Sequence, residues 1–154
     1  HRKYSGHIFE YCLPLCIISP SSAVIHRSVF DDVGPFDESF PVCEDYDMWL
    51  RITARYPVMF IEKPLIVKHG GHQDQLSRAY DGMDRFRIAG IVKMLDGGTL
   101  SGELAGMAVR ELEKKCRVYA HGAIKRGREE EGGHYLDLAA KYREKYIKKT
   151  VSTV

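Results

Sequence analysis

The sequence predicts an α+β fold, with short strands and helices in residues 1 to about 72 and a mainly helical region from 73 to 154. Three observations lead there. Short apolar runs of β type stand at 22–27, 58–61 and 65–68, set off by Pro and Gly. One amphipathic helical pattern, Glu44 to Ala54, lies between the first two runs, with Met48, Trp49, Leu50 and Ile52 beside charged Arg51 and Arg55. After Gln73 only helical spacing remains.

Taken in order, Tyr4 to Leu13 predicts a short helix with Ser5 as its N-cap and Pro14 near its stop. Ser22-Ala-Val-Ile-His-Arg reads as a buried strand, and Arg27 to Val33 as a helical turn ended by Gly34. Gly34-Pro35-Phe36-Asp37 has the chemistry of a turn. The Glu44 helix stops before Pro57. Val58-Met-Phe-Ile and Leu65-Ile-Val-Lys are the other two strands, and Gly70-Gly71 opens a polar loop. Helices are then expected at about Gln75 to Leu95, Ser101 to Lys125 and Glu129 to Lys148. Leu104, Ala108, Leu112, Cys116 and Ala120 recur every fourth residue, and Tyr135, Leu138, Ala139 and Tyr142 form a matching stripe. The last two helices should therefore pair as an antiparallel hairpin.

Composition bounds the function classes. The chain has 154 residues, 44% hydrophobic and 29% charged, which excludes a disordered or collagen-like chain. Its longest apolar run is interrupted by Pro14 and is far short of the roughly 20 residues of a membrane span. No signal-peptide pattern is visible, and a cytoplasmic location is expected. His1 stands where a starting Met would, so the chain is expected to belong to a longer polypeptide. Cys12, Cys16, Cys43 and Cys116 follow no disulfide framework or zinc spacing; free thiols are expected, with Cys12 and Cys16 one helical turn apart.

Charge is unevenly spread. From Asp31 to Asp47 there are seven acids and no Lys or Arg, whereas from Arg110 onward twelve Lys or Arg face seven acids. The basic tail fits either an anionic partner or a solvated helix face, because its charges alternate in sign. Clustered carboxylates repel unless something uses them.

Three segments carry a resemblance. Ser19 to Ser39, including FDES, then Glu44-Asp45-Tyr-Asp-Met-Trp-Leu-Arg51, then His69 to Tyr80 are similar to the second half of a family 2 glycosyltransferase of the GT-A fold. The resemblance covers roughly residues 7 to 80. Pro35 replaces the second glycine of the family's GGFDE turn. It implies that residues 1–72 are the C-terminal portion of a GT-A domain and 73–154 a helical extension.

It also implies roles. Asp45 corresponds to the carboxylate that takes the acceptor's proton in an inverting transfer, with Glu44 positioning the acceptor or the loop. Capping a helix start is the other reading of Asp45 that the residues allow. Asp37 in the FDES turn, Gln75 and Arg78 are implied in substrate binding; an arginine suits a diphosphate leaving group. For Gln75 and Arg78 an exposed helix start is the alternative. His72 is implied beside a divalent metal, a polar loop histidine being its alternative. The family's nucleotide-binding strands and Asp-x-Asp motif, which holds Mg²⁺ or Mn²⁺, have no counterpart here. The chain alone is thus expected to be inactive, to bind metal weakly, and to self-associate through an uncovered sheet edge. The implied partners are a nucleotide-sugar donor and a glycan, lipid or other hydroxyl acceptor, with peripheral membrane association and no nucleic acid. Two other readings use the same residues: a helical protein-interaction module in 100–150, and a metal-dependent hydrolase built on Glu44, Asp45, Asp47 and His72.

Overall fold

Among the residues that the computed structural model describes (3–67, 69 and 82–151), the N-terminal part is built from short helices joined by extended segments. The chain divides into two compact units, His1–Phe86 and Arg87–Val154. In the first, α1 spans Phe9–Cys12, a single 3₁₀ turn covers Pro20–Ser22, α2 spans Arg27–Val33 and α3 spans Glu44–Thr53. Three acids in the first turn of α3 and Arg51 in its last suit the helix dipole. Met48, Trp49 and Ile52 of α3 form a core against Cys16, Ile18, Ile25, Val29, Phe30 and Tyr56. A further tie comes from the buried Tyr46, whose hydroxyl donates to the Leu13 carbonyl.

Two expectations are corrected here. The helix expected over Tyr4–Leu13 is a single turn, because Ser5 does not cap it: its Oγ accepts the Phe60 N–H at 2.9 Å instead. Cys16 accordingly lies outside any helix, not one turn from Cys12. The α+β expectation also fails among the described residues, which contain no β-strand. Residues 23–26 and 59–67 are not helical, but they enter no ladder, and Gly6 and Val58 form one isolated antiparallel bridge. A strand exists only when a second segment accepts and donates along it. The apolar pattern of 58–67 is present without that second segment, and Met59 and Val67 are about 80% exposed.

The second unit is helical throughout: α4 spans Asp84–Asp96 and begins in the first unit, α5 spans Gly102–Lys125 and α6 spans Glu129–Val151. The Ser101 side chain caps α5 by accepting the Leu104 N–H. Ala105, Ala108, Leu112, Cys116, Ala120 and Ala123 are buried along one face of α5. Small residues there let α6 approach closely, and Gly132 marks the tightest point. A Cβ at Gly132 would stand 2.5 Å from Ile124 Cγ1 and 3.1 Å from the Ala120 carbonyl, whereas one at Gly133 would meet nothing within 4 Å. The two neighbouring substitutions should therefore act in opposite directions. Gly133→Ala is expected to stabilise by up to about 1 kcal/mol through helix propensity, and Gly132→Ala to destabilise by about 1–3 kcal/mol through overpacking. Urea unfolding of both variants checks this; the same sign for both would refute the close approach.

The start of the second unit is fastened to the hairpin by α6. Tyr142 Oη and Lys145 Nζ donate to the two oxygens of Asp96 at 2.5 and 2.9 Å, and Tyr146 Oη donates to the Leu95 carbonyl. The Tyr142 hydroxyl and then Lys145 hold the Asp96 carboxyl below its usual range. A depressed carboxylate contributes stability that is present above its unfolded pKa and lost as pH falls through the folded value. Because Asp96 is half exposed, this contribution should stay under about 1 kcal/mol. Asp96→Asn should flatten the loss of helical signal below about pH 4, measured by circular dichroism; an unchanged acid limb would exclude the linkage. No helix among the described residues is long and apolar enough to cross a membrane.

Candidate active site

The acidic segment enters α3 through an unusual joint. Cys43, buried, has a left-handed backbone (φ 65°), and the turn sets Glu44 and Asp45 as the first residues of the helix. Both are half-buried. Asp45 does not occupy the N-cap; its Oδ1 accepts the neighbouring Tyr46 N–H at 2.7 Å. Its Oδ2 accepts the Cys16 S–H at 3.2 Å, a contact across 29 residues that Cys16 shares with the Ile18 carbonyl at 3.4 Å. Burial, and then the Asp45 charge, push the Cys16 thiol well up from its ordinary value. A protonated thiol is therefore a steady donor to the carboxylate. Asp45 is thus oriented by one donor on each oxygen and is only half-buried.

Asp47 points the other way. Fully buried, it accepts from Arg51 Nε at 3.0 Å and Nη2 at 2.9 Å, one helical turn on. The same guanidinium donates to the carbonyls of Val33, Gly34 and Pro35. Arg51 therefore fixes the end of α2 and the turn behind it on α3. Gly34 is needed there: its φ of 83° is a left-handed value that L side chains rarely adopt. The turn continues into Asp37, whose Oδ1 accepts from the Ser39 N–H at 3.0 Å and the Ser39 hydroxyl at 2.7 Å. Asp37 thus shapes the FDES loop. At the far end of α2, exposed Asp32 accepts from Arg55 and Tyr56, which lowers its carboxyl pKa.

His72, Gln75 and Arg78 lie outside the described residues, and His69 is exposed. Among the described residues no three His, Cys, Asp or Glu side chains come together as a metal site. Asp45 and Asp47 turn to different partners, and with Glu44 they make up no such group. These residues therefore do not fit the Mg²⁺ or Mn²⁺ that the resemblance implies, and His72 is not among them. The cysteines are free thiols.

Sequence reasoning missed two functional contacts. Arg51 was legible in part, because Asp47 and Arg51 have the i, i+4 spacing of an ion pair. Its three carbonyl partners, 16 to 18 residues back, were not. Cys16 reads as an ordinary apolar-run thiol, and nothing in its neighbours marks it as a partner of Asp45.

A family model described as "Glycosyltransferase like family 2" matches residues 10–91. Proteins from Rickettsia felis and Rickettsia conorii, each named an uncharacterized glycosyltransferase, are 34% identical over 68 residues. That stretch is 43% of this chain and 11% of each of theirs. A third relative, from Rickettsia bellii, matches at the same identity. The chain therefore spans only about a tenth of the length of the curated relatives it matches. No solved structure matches.

Proposed function

Because this chain belongs to the glycosyltransferase-like family 2, we propose that it is the acceptor-side part of an inverting, GT-A-type sugar transferase in which Asp45 is the general base. The observation that carries this reading is the half-buried Asp45 carboxylate, oriented by Tyr46 N–H and Cys16 S–H at the start of α3. The acceptor hydroxyl gives its proton to Asp45 while its oxygen bonds to the anomeric carbon of the donor sugar. The bond from that carbon to the nucleoside diphosphate breaks, and the diphosphate leaves with its electron pair. Attack from the opposite face inverts the centre.

Glu44, adjacent and half-buried, is assigned to positioning the acceptor. Asp37, Gln75 and Arg78 are assigned to substrate, with Arg78 facing the diphosphate. The donor is a nucleotide sugar and the acceptor a glycan, lipid or other hydroxyl compound. A divalent cation in the whole enzyme belongs to the donor-binding half and to His72. The extended, exposed segment 58–67 is assigned as the edge that the donor-binding strands cover. By itself this chain should be inactive and should self-associate along that edge.

The test uses the polypeptide extended to include a donor-binding half. Release of nucleoside diphosphate is measured over a panel of sugar nucleotides and hydroxyl acceptors, wild type against Asp45→Asn. Turnover that collapses in the variant while donor binding persists supports the base. Equal turnover removes the assignment.

A further inference from the structure

The outward face of α5 carries a line of positive charge that the proposed transfer does not use. Arg110, Lys114, Arg117 and Lys125 follow at spacings of four, three and eight residues, so they stand above one another on one side of the helix. All four are exposed, and none forms an ion pair among the described residues. Three further cations of this hairpin are paired: Lys115, Arg128 and Arg143 meet Glu111, Glu131 and Glu113. The acids of α5 that follow Arg110 are thereby drawn to other faces, and the line is left with a single sign of charge. It runs for about 22 Å at the rise of an α-helix. Like charges kept this close repel, and they are relieved when an anionic surface meets them.

One apolar side chain flanks the line: Val118 is 59% exposed. We infer that this face of α5 docks on the surface of an anionic lipid bilayer. A straight basic face can meet a flat array of phosphate headgroups along its whole length, and Val118 then enters the headgroup boundary. A nucleic-acid surface would add stacking aromatics or base-reading amides to the cations. The line has none, and Tyr119 is turned inward to donate to Glu131. This inference is independent of the role of Asp45.

The experiment is flotation of the full chain with vesicles of phosphatidylcholine alone and of phosphatidylcholine mixed with phosphatidylserine. Binding is expected only with phosphatidylserine and should weaken as salt is raised. A variant with Arg110→Gln, Lys114→Gln, Arg117→Gln and Lys125→Gln should lose about six-hundredfold in vesicle affinity, at about fivefold for each cation. A matched variant removes four cations elsewhere: Arg27→Gln, Lys63→Gln, Arg85→Gln and Arg126→Gln. It should keep most of the binding. Circular dichroism checks folding, and if the fourfold variant does not fold, the pairs Arg110/Lys114 and Arg117/Lys125 are replaced separately. Equal loss in the matched variant overturns the inference, as does equal binding to both vesicle types. Tighter binding to a single-stranded oligonucleotide than to phosphatidylserine vesicles at the same salt also overturns it.

Discussion

Arg51→Ala should cost the first unit about 3–5 kcal/mol, a large share of what a domain of this size has. The size follows from what is left behind. Asp47 is fully buried and would lose both of its guanidinium donors, leaving an ionised carboxylate in the core. The carbonyls of Val33, Gly34 and Pro35 would lose theirs at the same time. Lysine should rescue little, because a single ammonium cannot reproduce a fork that serves a carboxylate on one side and a turn on the other. Arg55→Ala is the comparison: its pair with Asp32 is about 40% exposed at both ends, so solvent screens it and its loss should be small beside that of Arg51. Urea unfolding followed at Trp49, which lies in this core, measures both. Equal small losses would show that the Asp47–Arg51 pair does not hold the unit together.

Asp45→Asn, in a polypeptide that carries a donor-binding half, should lower kcat by about 10²–10⁴ with little change in donor affinity. Asparagine keeps the shape, and its one carbonyl oxygen can still accept the Tyr46 N–H, while the NH2 that replaces Oδ2 no longer accepts the Cys16 S–H. What it cannot do is take a proton. The same substitution should cost about 1 kcal/mol or less in stability, since Asp45 is half-buried and only the weak thiol donor loses its acceptor. That pattern, activity lost and unfolding midpoint kept, separates a base from a helix-capping carboxylate. The opposite pattern would identify Asp45 as a capping residue only.

The helical part of the fold was legible because its signals are local. Arg27–Val33 ended by Gly34, Glu44 starting α3, Ser101 capping α5 and Glu129 opening α6 all follow from neighbours within one turn. The long stripes of α5 and α6 also announced their pairing, because each needs an apolar partner. The apolar runs in 58–67 form no strand among the described residues, for the complementary reason. Their composition suits a strand, but a strand is completed by a second segment, and the described chain offers only Gly6.

The sequence by itself determined the helices, the acidic run that places Asp45 at the start of one, and the motifs that mark the family. Tertiary structure alone decided what each carboxylate does. Asp45 and Asp47 are two residues apart with the same chemistry, yet one accepts from Cys16 and the other from Arg51. Cys16 comes from a segment that adjoins α3 only after folding, and Arg51, though in the same helix as Asp47, is fixed by the carbonyls of Val33, Gly34 and Pro35, so no local pattern could assign either set of contacts.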